Sequence, residues 1–279
     1  MFNFKSNYNI DDLVEIVKIL RSDNGCPWDK VQTHESIKPS LIEEVYEVIE
    51  AIDLNDSDLM KEELGDVLLQ VVFHAQLENE INHFNFENVC NDICHKLIIR
   101  HPHVFGQVTV NSCDEVLTNW EQIKQKTKGQ TTFTETLQSV PKTLPALMKA
   151  QKVGKRAAKS GMDFSDISSA IDCLKSEIAE LEEAIAANDQ NGIEEELGDV
   201  MFSCTNIARK ANADAEMLLT DATEKFIRRF ARTEELIRLN EIEMTSLSIE
   251  ELDNYWKQTK AQFNQEKLEV NKNDKSRFN

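Results

Sequence analysis

Four carboxylates at fixed spacing occur twice in this chain. Glu44/Glu47 and Glu63/Asp66 are i, i+3 pairs, and Glu177/Glu180 and Glu196/Asp199 repeat them 133 residues later. Residues three apart share one face of a helix. Two such helices joined by a short loop and packed antiparallel therefore gather four carboxylates. With 50 acidic residues in the chain, an acidic helical face is ordinarily just solvated. The neighbours here argue otherwise. Glu196, Asp199 and Ser203 form a polar stripe between Val200 and Phe202, and Glu63, Asp66 and Gln70 form the same stripe between Val67 and Phe73. Carboxylates set into apolar walls need a compensating cation. Oxygen donors without histidine suit a hard divalent ion, Mg²⁺ or Mn²⁺.

Basic pairs recur in the same way. Lys96/Arg100 and Lys225/Arg229 are i, i+4 pairs offset by 129, while Lys124 and Lys260 each follow a tryptophan, Trp120 or Trp256, by four residues. Cations duplicated beside a carboxylate cluster suit a polyphosphate bound as its metal complex. Taken alone, the basic pairs also read as surface ion pairs with neighbours such as Glu224. Each tryptophan reads equally as a base-stacking platform or as a core anchor.

These residues need helices to hold them, and the composition supplies them. Gly and Pro together number 13, where average usage of about 12% would give about 33. That scarcity disfavours an all-β or Rossmann-like chain. Hydrophobic residues make up 41%, enough for a real core. A net charge of −19 excludes electrostatic recognition of nucleic acid or an anionic membrane surface. No leader pattern opens the sequence and no apolar run approaches the ~20 residues of a membrane span. The six cysteines form no C-x-x-C pair, and Cys90, Cys94 and His95 read as small buried groups rather than a metal site. The expectation is a cytoplasmic protein.

Ser112, Glu115, Trp120 and Lys124 also recur, as Ser248, Glu251, Trp256 and Lys260 with an offset of 136. Ten paired positions with small changes of offset mark a duplicated unit. Each unit reads as four helices. In the first, a stripe of Leu41, Val45, Val48 and Ile52 ends at Asn55–Asp58, and helices follow over about 59–77 and 86–100, with a fourth opened by a Ser112/Glu115 capping box. The second repeats the plan over about 166–188, 191–212 and 214–240, then a Ser248/Glu251-capped helix. The expected organisation is a first unit over 1–127, a linker over 128–162, a second unit over 163–264 and a polar tail over 265–279.

The Glu-x-x-Glu pair, with Glu-x-x-Asp starting sixteen positions after it, resembles the MazG-type all-α nucleoside triphosphate pyrophosphohydrolases. So do Gly25-Cys26-Pro27-Trp28-Asp29 through His34, Lys96 through Gly106, and Val140-Pro141 through Leu147. The resemblance spans about residues 10–262. It implies an all-α fold of tandem four-helix units assembled as an intertwined homodimer. It also implies hydrolysis of a nucleoside triphosphate to monophosphate and pyrophosphate. Mg²⁺ would be held by Glu177, Glu180, Glu196 and Asp199, and by Glu44, Glu47, Glu63 and Asp66 in the other unit. Lys225, Arg229 and Lys260 would hold phosphates with Trp256 near the nucleotide, and Lys96, Arg100, Lys124 and Trp120 correspond to them. Glu195 or Glu196 would accept the proton of the attacking water. The motif often opens Glu-Glu, as Glu43-Glu44 does, whereas Ser176 precedes Glu177; adjacent helical residues point about 100° apart, so Ser176 leaves the ligand set intact. By resemblance the second unit is the catalytic one. Two other readings compete: a non-catalytic nucleotide-binding module, and a di-iron carboxylate bundle, for which only Glu80–His83 supplies the Glu-x-x-His spacing.

Overall fold

The computed structural model describes residues 4–110, 112–127 and 129–262, and every regular element among them is helical. The chain divides into two compact units after residue 127. The first contains α1 (Ile10–Leu20), the short α2 (Pro27–Lys30), α3 (His34–Leu54), α4 (Ser57–Glu80), α5 (Phe86–Arg100), the short α6 (Pro102–Phe105) and α7 (Cys113–Thr127). The second contains α8 (Phe133–Gln138), α9 (Ala146–Ala158), α10 (Ile167–Ala186), α11 (Gln190–Lys210), α12 (Ala215–Leu239) and a final helix, α13, over 249–262.

Each unit is built on a hairpin of two long helices, α3–α4 and α10–α11. Local chemistry sets their ends. Thr33 accepts from Ser36 N–H to start α3, and Asp166 accepts from Ser169 N–H to start α10. Asn55 and Asn188 end α3 and its counterpart in the left-handed region, which asparagine tolerates. Asp56 then accepts from the Asp58 and Leu59 N–H groups to open α4. At the fourth helices Ser112 Oγ accepts from Glu115 N–H, and the expected Ser248/Glu251 box forms in full, each residue capping the other.

The four-helix plan omits one member per unit. α1 packs on α4, and α9 packs on α11, so each hairpin is preceded by a helix lying on its second member. Residues 128–162, expected as a linker, therefore hold α8 and α9. α9 is fixed by polar contacts no local pattern reveals. Gln151 donates to Ala213 O at 2.6 Å and accepts from Ala215 N–H at 2.8 Å, and Arg156 donates to Thr136 O and to Ser139 Oγ. Gly154 is buried where a Cβ would lie 2.7 Å from Asn206 Oδ1, so glycine is what lets α9 approach α11.

In the first unit Val17, Ile37, Val72 and Phe73 form the core, flanked by Leu13, Val14, Leu69, Leu77 and Phe86. Beside it Arg21, 5% exposed, donates to both Glu80 oxygens at 2.8 Å and lies over the Phe73 ring. In the second unit much of what is buried is small or polar. Asp163 pairs with Arg209 at 2.6 Å and Lys210 at 3.2 Å, and Thr233 bonds the fully buried Thr259 at 3.1 Å to join α12 and α13. No helix among the described residues is long and apolar enough to cross a membrane.

Candidate metal centres

The hairpins bring the repeated carboxylates together. Oxygens of Glu44, Glu63 and Asp66 lie within 4.8 Å of one another, and those of Glu177, Glu196 and Asp199 do the same. In each cluster the first ligand comes from the first hairpin helix and the other two from the second, which is what antiparallel packing of two i, i+3 pairs produces. Glu47 stands beside the first group, close enough to help push Glu44 and Glu63 upward. Glu180 stands at the edge of the second, exposed, accepting from Ser176 Oγ at 3.2 Å. Glu195 is exposed and outside the triad that Glu196 joins.

Their electrostatics are those of like charges crowded together. Burial first, and then the neighbouring carboxylates, push Glu44, Glu63 and Glu196 above the usual carboxylate range. For Glu196 those neighbours are Glu180, Asp199, Glu177 and Glu195, in that order. An all-oxygen set of this charge fits a hard divalent cation, and repulsion between its members is what such an ion would relieve.

Two contacts were not evident from the motif. Cys173 Sγ donates to Glu177 Oε1 at 3.5 Å and lies 3.8 Å from Ser203 Oγ, a group only 4% exposed. The thiol and Ser203 thus form the floor of the second cluster. Cys173 precedes Glu177 by four residues, so helical spacing was the available signal. At the 133-residue offset the first unit has Ser40 and Gln70 in their place.

The basic and aromatic residues sit on other helices. Lys96 and Arg100 are on α5, with Trp120 and Lys124 on α7; Lys225 and Arg229 are on α12, with Trp256 and Lys260 on α13. The contacts seen for both tryptophans are anchoring ones. Arg100 lies over the Trp120 ring at 5.3 Å with His101 against it edge-on at 4.8 Å, and Trp256 packs 5.1 Å from Phe226. Lys96, Lys225 and Lys260 are exposed. The Glu-x-x-His pair is employed elsewhere: Glu80 holds Arg21, and His83 donates to Glu78 at 2.8 Å. Cys90 and Cys94 are free thiols, the latter exposed rather than buried.

Two helical units, each with a carboxylate cluster that could hold a divalent cation, define a duplicated all-α architecture. The MazG nucleotide pyrophosphohydrolase domain matches the chain over residues 32–105 and 166–234, the segments that carry the two hairpins. A nucleoside triphosphate pyrophosphohydrolase of Escherichia coli K12 is 43% identical over 91% of this chain and 97% of its own length. A nucleoside triphosphate pyrophosphohydrolase/pyrophosphatase MazG of Thermotoga maritima is 45% identical over 90% and 95%. The chain therefore belongs to the MazG nucleotide pyrophosphohydrolase family and is an enzyme of that class.

Proposed function

We propose that the protein hydrolyses nucleoside triphosphates at the α–β phosphoanhydride, releasing the monophosphate and pyrophosphate, with Mg²⁺ as the natural cation and Mn²⁺ as a substitute. The observation that carries this reading is the pair of carboxylate triads, each lying inside a segment matched by the family domain. Glu177, Glu196 and Asp199 would hold the cation, with Glu180 at the rim, and Glu44, Glu47, Glu63 and Asp66 form the corresponding set in the first unit. A bound divalent ion supplies charge neutralisation and polarises a phosphoryl oxygen. Around it the chain provides the rest. Lys225, Arg229 and Lys260 neutralise the phosphates, as Lys96, Arg100 and Lys124 would in the first unit, and Trp256, like Trp120, borders the nucleotide. Water attacks the α-phosphorus; the bond from that phosphorus to the bridging oxygen breaks, and pyrophosphate leaves with the electron pair. The water's proton passes to a carboxylate. Glu195, exposed beside the triad, and Glu196, a member of it, are the carboxylates that would accept it.

The working unit is proposed to be a homodimer. Large apolar side chains remain uncovered on the second unit's long helices: Met201 on α11 is 55% exposed, and Leu219 and Phe226 on α12 are 56% and 54% exposed. Ile42, Ile52 and Leu64 are equally open on α3 and α4. Apolar area on this scale calls for a protein partner, and a second copy laid against it would bury both faces at once. Gly65 and Gly198 agree with this, since a Cβ at either would meet nothing within 4 Å in this chain. The unpaired state of all six cysteines suits a reducing compartment, and the cytoplasm is the proposed location.

Turnover of a nucleotide panel by the parent, by Glu180→Ala/Asp199→Ala and by Glu47→Ala/Asp66→Ala tests the assignment. Loss of activity in the second-unit variant alone is expected. Loss in the first-unit variant alone would move the active site to the first unit, and absence of metal-dependent turnover in the parent would overturn the reading.

A further inference from the structure

The first unit contains a histidine cluster that the proposed hydrolysis does not use. His34, the first residue of α3, and His74, late in α4, place their Nδ1 atoms 2.7 Å apart. Their ring planes differ by 3° and their centroids are 5.0 Å apart. The centroid separation exceeds the nitrogen separation by two ring radii, so the rings lie edge to edge and the bond runs along the line of centres. His34 Nε2 donates to Glu78 Oε1 at 2.7 Å, and His83 Nδ1 donates to Glu78 Oε2 at 2.8 Å. The cluster is thus a continuous chain, His74–His34–Glu78–His83.

Proton counting limits its charge. Nε2 of His34 keeps its proton for Glu78, and the Nδ1–Nδ1 bond accommodates one proton, on either ring. The bonded pair can therefore be neutral or singly charged. A second positive charge places N–H against N–H and removes the bond. We propose that this pair is an acid-operated latch: double protonation breaks the His34–His74 tie and loosens the first turn of α3 against α4, at the end of the hairpin opposite the Asn55–Asp56 turn, leaving His34–Glu78 as the side-chain bond that remains there.

The surrounding charges are few. α3 adds Glu35 and Lys38, α4 adds Glu78 and Glu80, and α1 adds Arg21, which is held by Glu80. α5 packs against α4 through Phe86, and Glu87 in its first turn is exposed. His74 is held below the usual imidazole range, by burial first and then by the charge of His34. A folded-state value below the unfolded one means that the latch contributes fully above the ordinary histidine range. Its contribution is lost as pH falls through the folded value. At the 133-residue offset the second unit carries Ile167, Ile207 and Ala211, so its hairpin has no latch and serves as an internal control.

Amide hydrogen exchange of the full-length protein between about pH 7.5 and 5.5, corrected for intrinsic rates, tests this without reference to nucleotide chemistry. Opening around residues 33–38 and 72–80 is expected to increase by up to about tenfold per unit of pH below ~6.5, while the start of α10 and the end of α11 do not follow. His74→Gln keeps a hydrogen-bonding group that does not titrate, and should remove the acid step. An equal response in both hairpins, or an unchanged response in His74→Gln, would overturn the latch. If that variant does not fold, nitrogen NMR of the parent's imidazoles decides. Charging of the second ring should coincide with the exchange step, and full charging of both rings with no step would refute the proposal.

Discussion

Glu196 shows how an acidic face becomes a site. Its carboxylate is partly buried beside Glu177 and Asp199, and both burial and its neighbours favour the protonated form. A carboxyl whose folded-state value is raised costs nothing below its unfolded range, and destabilises the fold as pH rises through the folded value. At neutral pH the metal-free cluster is therefore a liability that a bound cation would remove. Glu196→Gln should raise the melting temperature of the metal-free protein and shrink the further rise produced by Mg²⁺, both read by calorimetry with and without chelator. Asp163 lies at the opposite extreme. Arg209 foremost, with Lys210, draws it down to about 2. Its contribution is fully present above the ordinary aspartate range and lost as pH falls through about 2. Asp163→Asn should cost about 1–2 kcal/mol in denaturant unfolding near neutral pH, a difference that vanishes in strong acid. Spacing made the carboxylates legible, because i, i+3 geometry is local. The Asp163–Arg209 pair joins residues 46 apart and left no trace in periodicity.

At the scale of elements, capping chemistry and hydrophobic stripes located the helices that carry the clusters. The Ser112 and Ser248 starts were readable because a cap and its partner lie three residues apart. α1 and α9 escaped the repeat plan because they share packing roles without sharing chemistry-bearing residues: Val17 is buried on α1, and Gly154 is buried on α9. The stripe expected on α3 is only half right: Leu41 and Val48 are partly buried, but Val45 and Ile52 are exposed, and the buried residues are Ile37 and Ala51. Periodicity identifies a face without naming what covers it. Two glycines make the contrast testable. Gly154→Ala drives a Cβ to 2.7 Å from Asn206 Oδ1 and should destabilise the second unit by about 1–3 kcal/mol. Gly198→Ala meets nothing in the chain and should stabilise α11 by about 0.5–1 kcal/mol. A fall in turnover despite that gain would mark Gly198 as a point of close approach from outside the chain; unfolding curves and kinetics on the same sample separate the two effects.

For the whole molecule, duplication and an uncovered apolar surface occur together in a chain of net charge −19. On the proposed reading, a second copy covers α10–α12, and sedimentation at micromolar concentration should show a dimer that Leu219→Glu converts to monomer. Each unit contributes a complete carboxylate set, so the sequence identifies two clusters. The difference between Cys173/Ser203 and Ser40/Gln70 beneath them became visible only once the helices were packed. Cleavage at the α-phosphorus is the central claim, and isotope-labelled water tests it most directly. Turnover of a nucleoside triphosphate with Mg²⁺ in heavy-oxygen water should place the label in the monophosphate and none in pyrophosphate. Label in pyrophosphate, or in orthophosphate released with a nucleoside diphosphate, would contradict it.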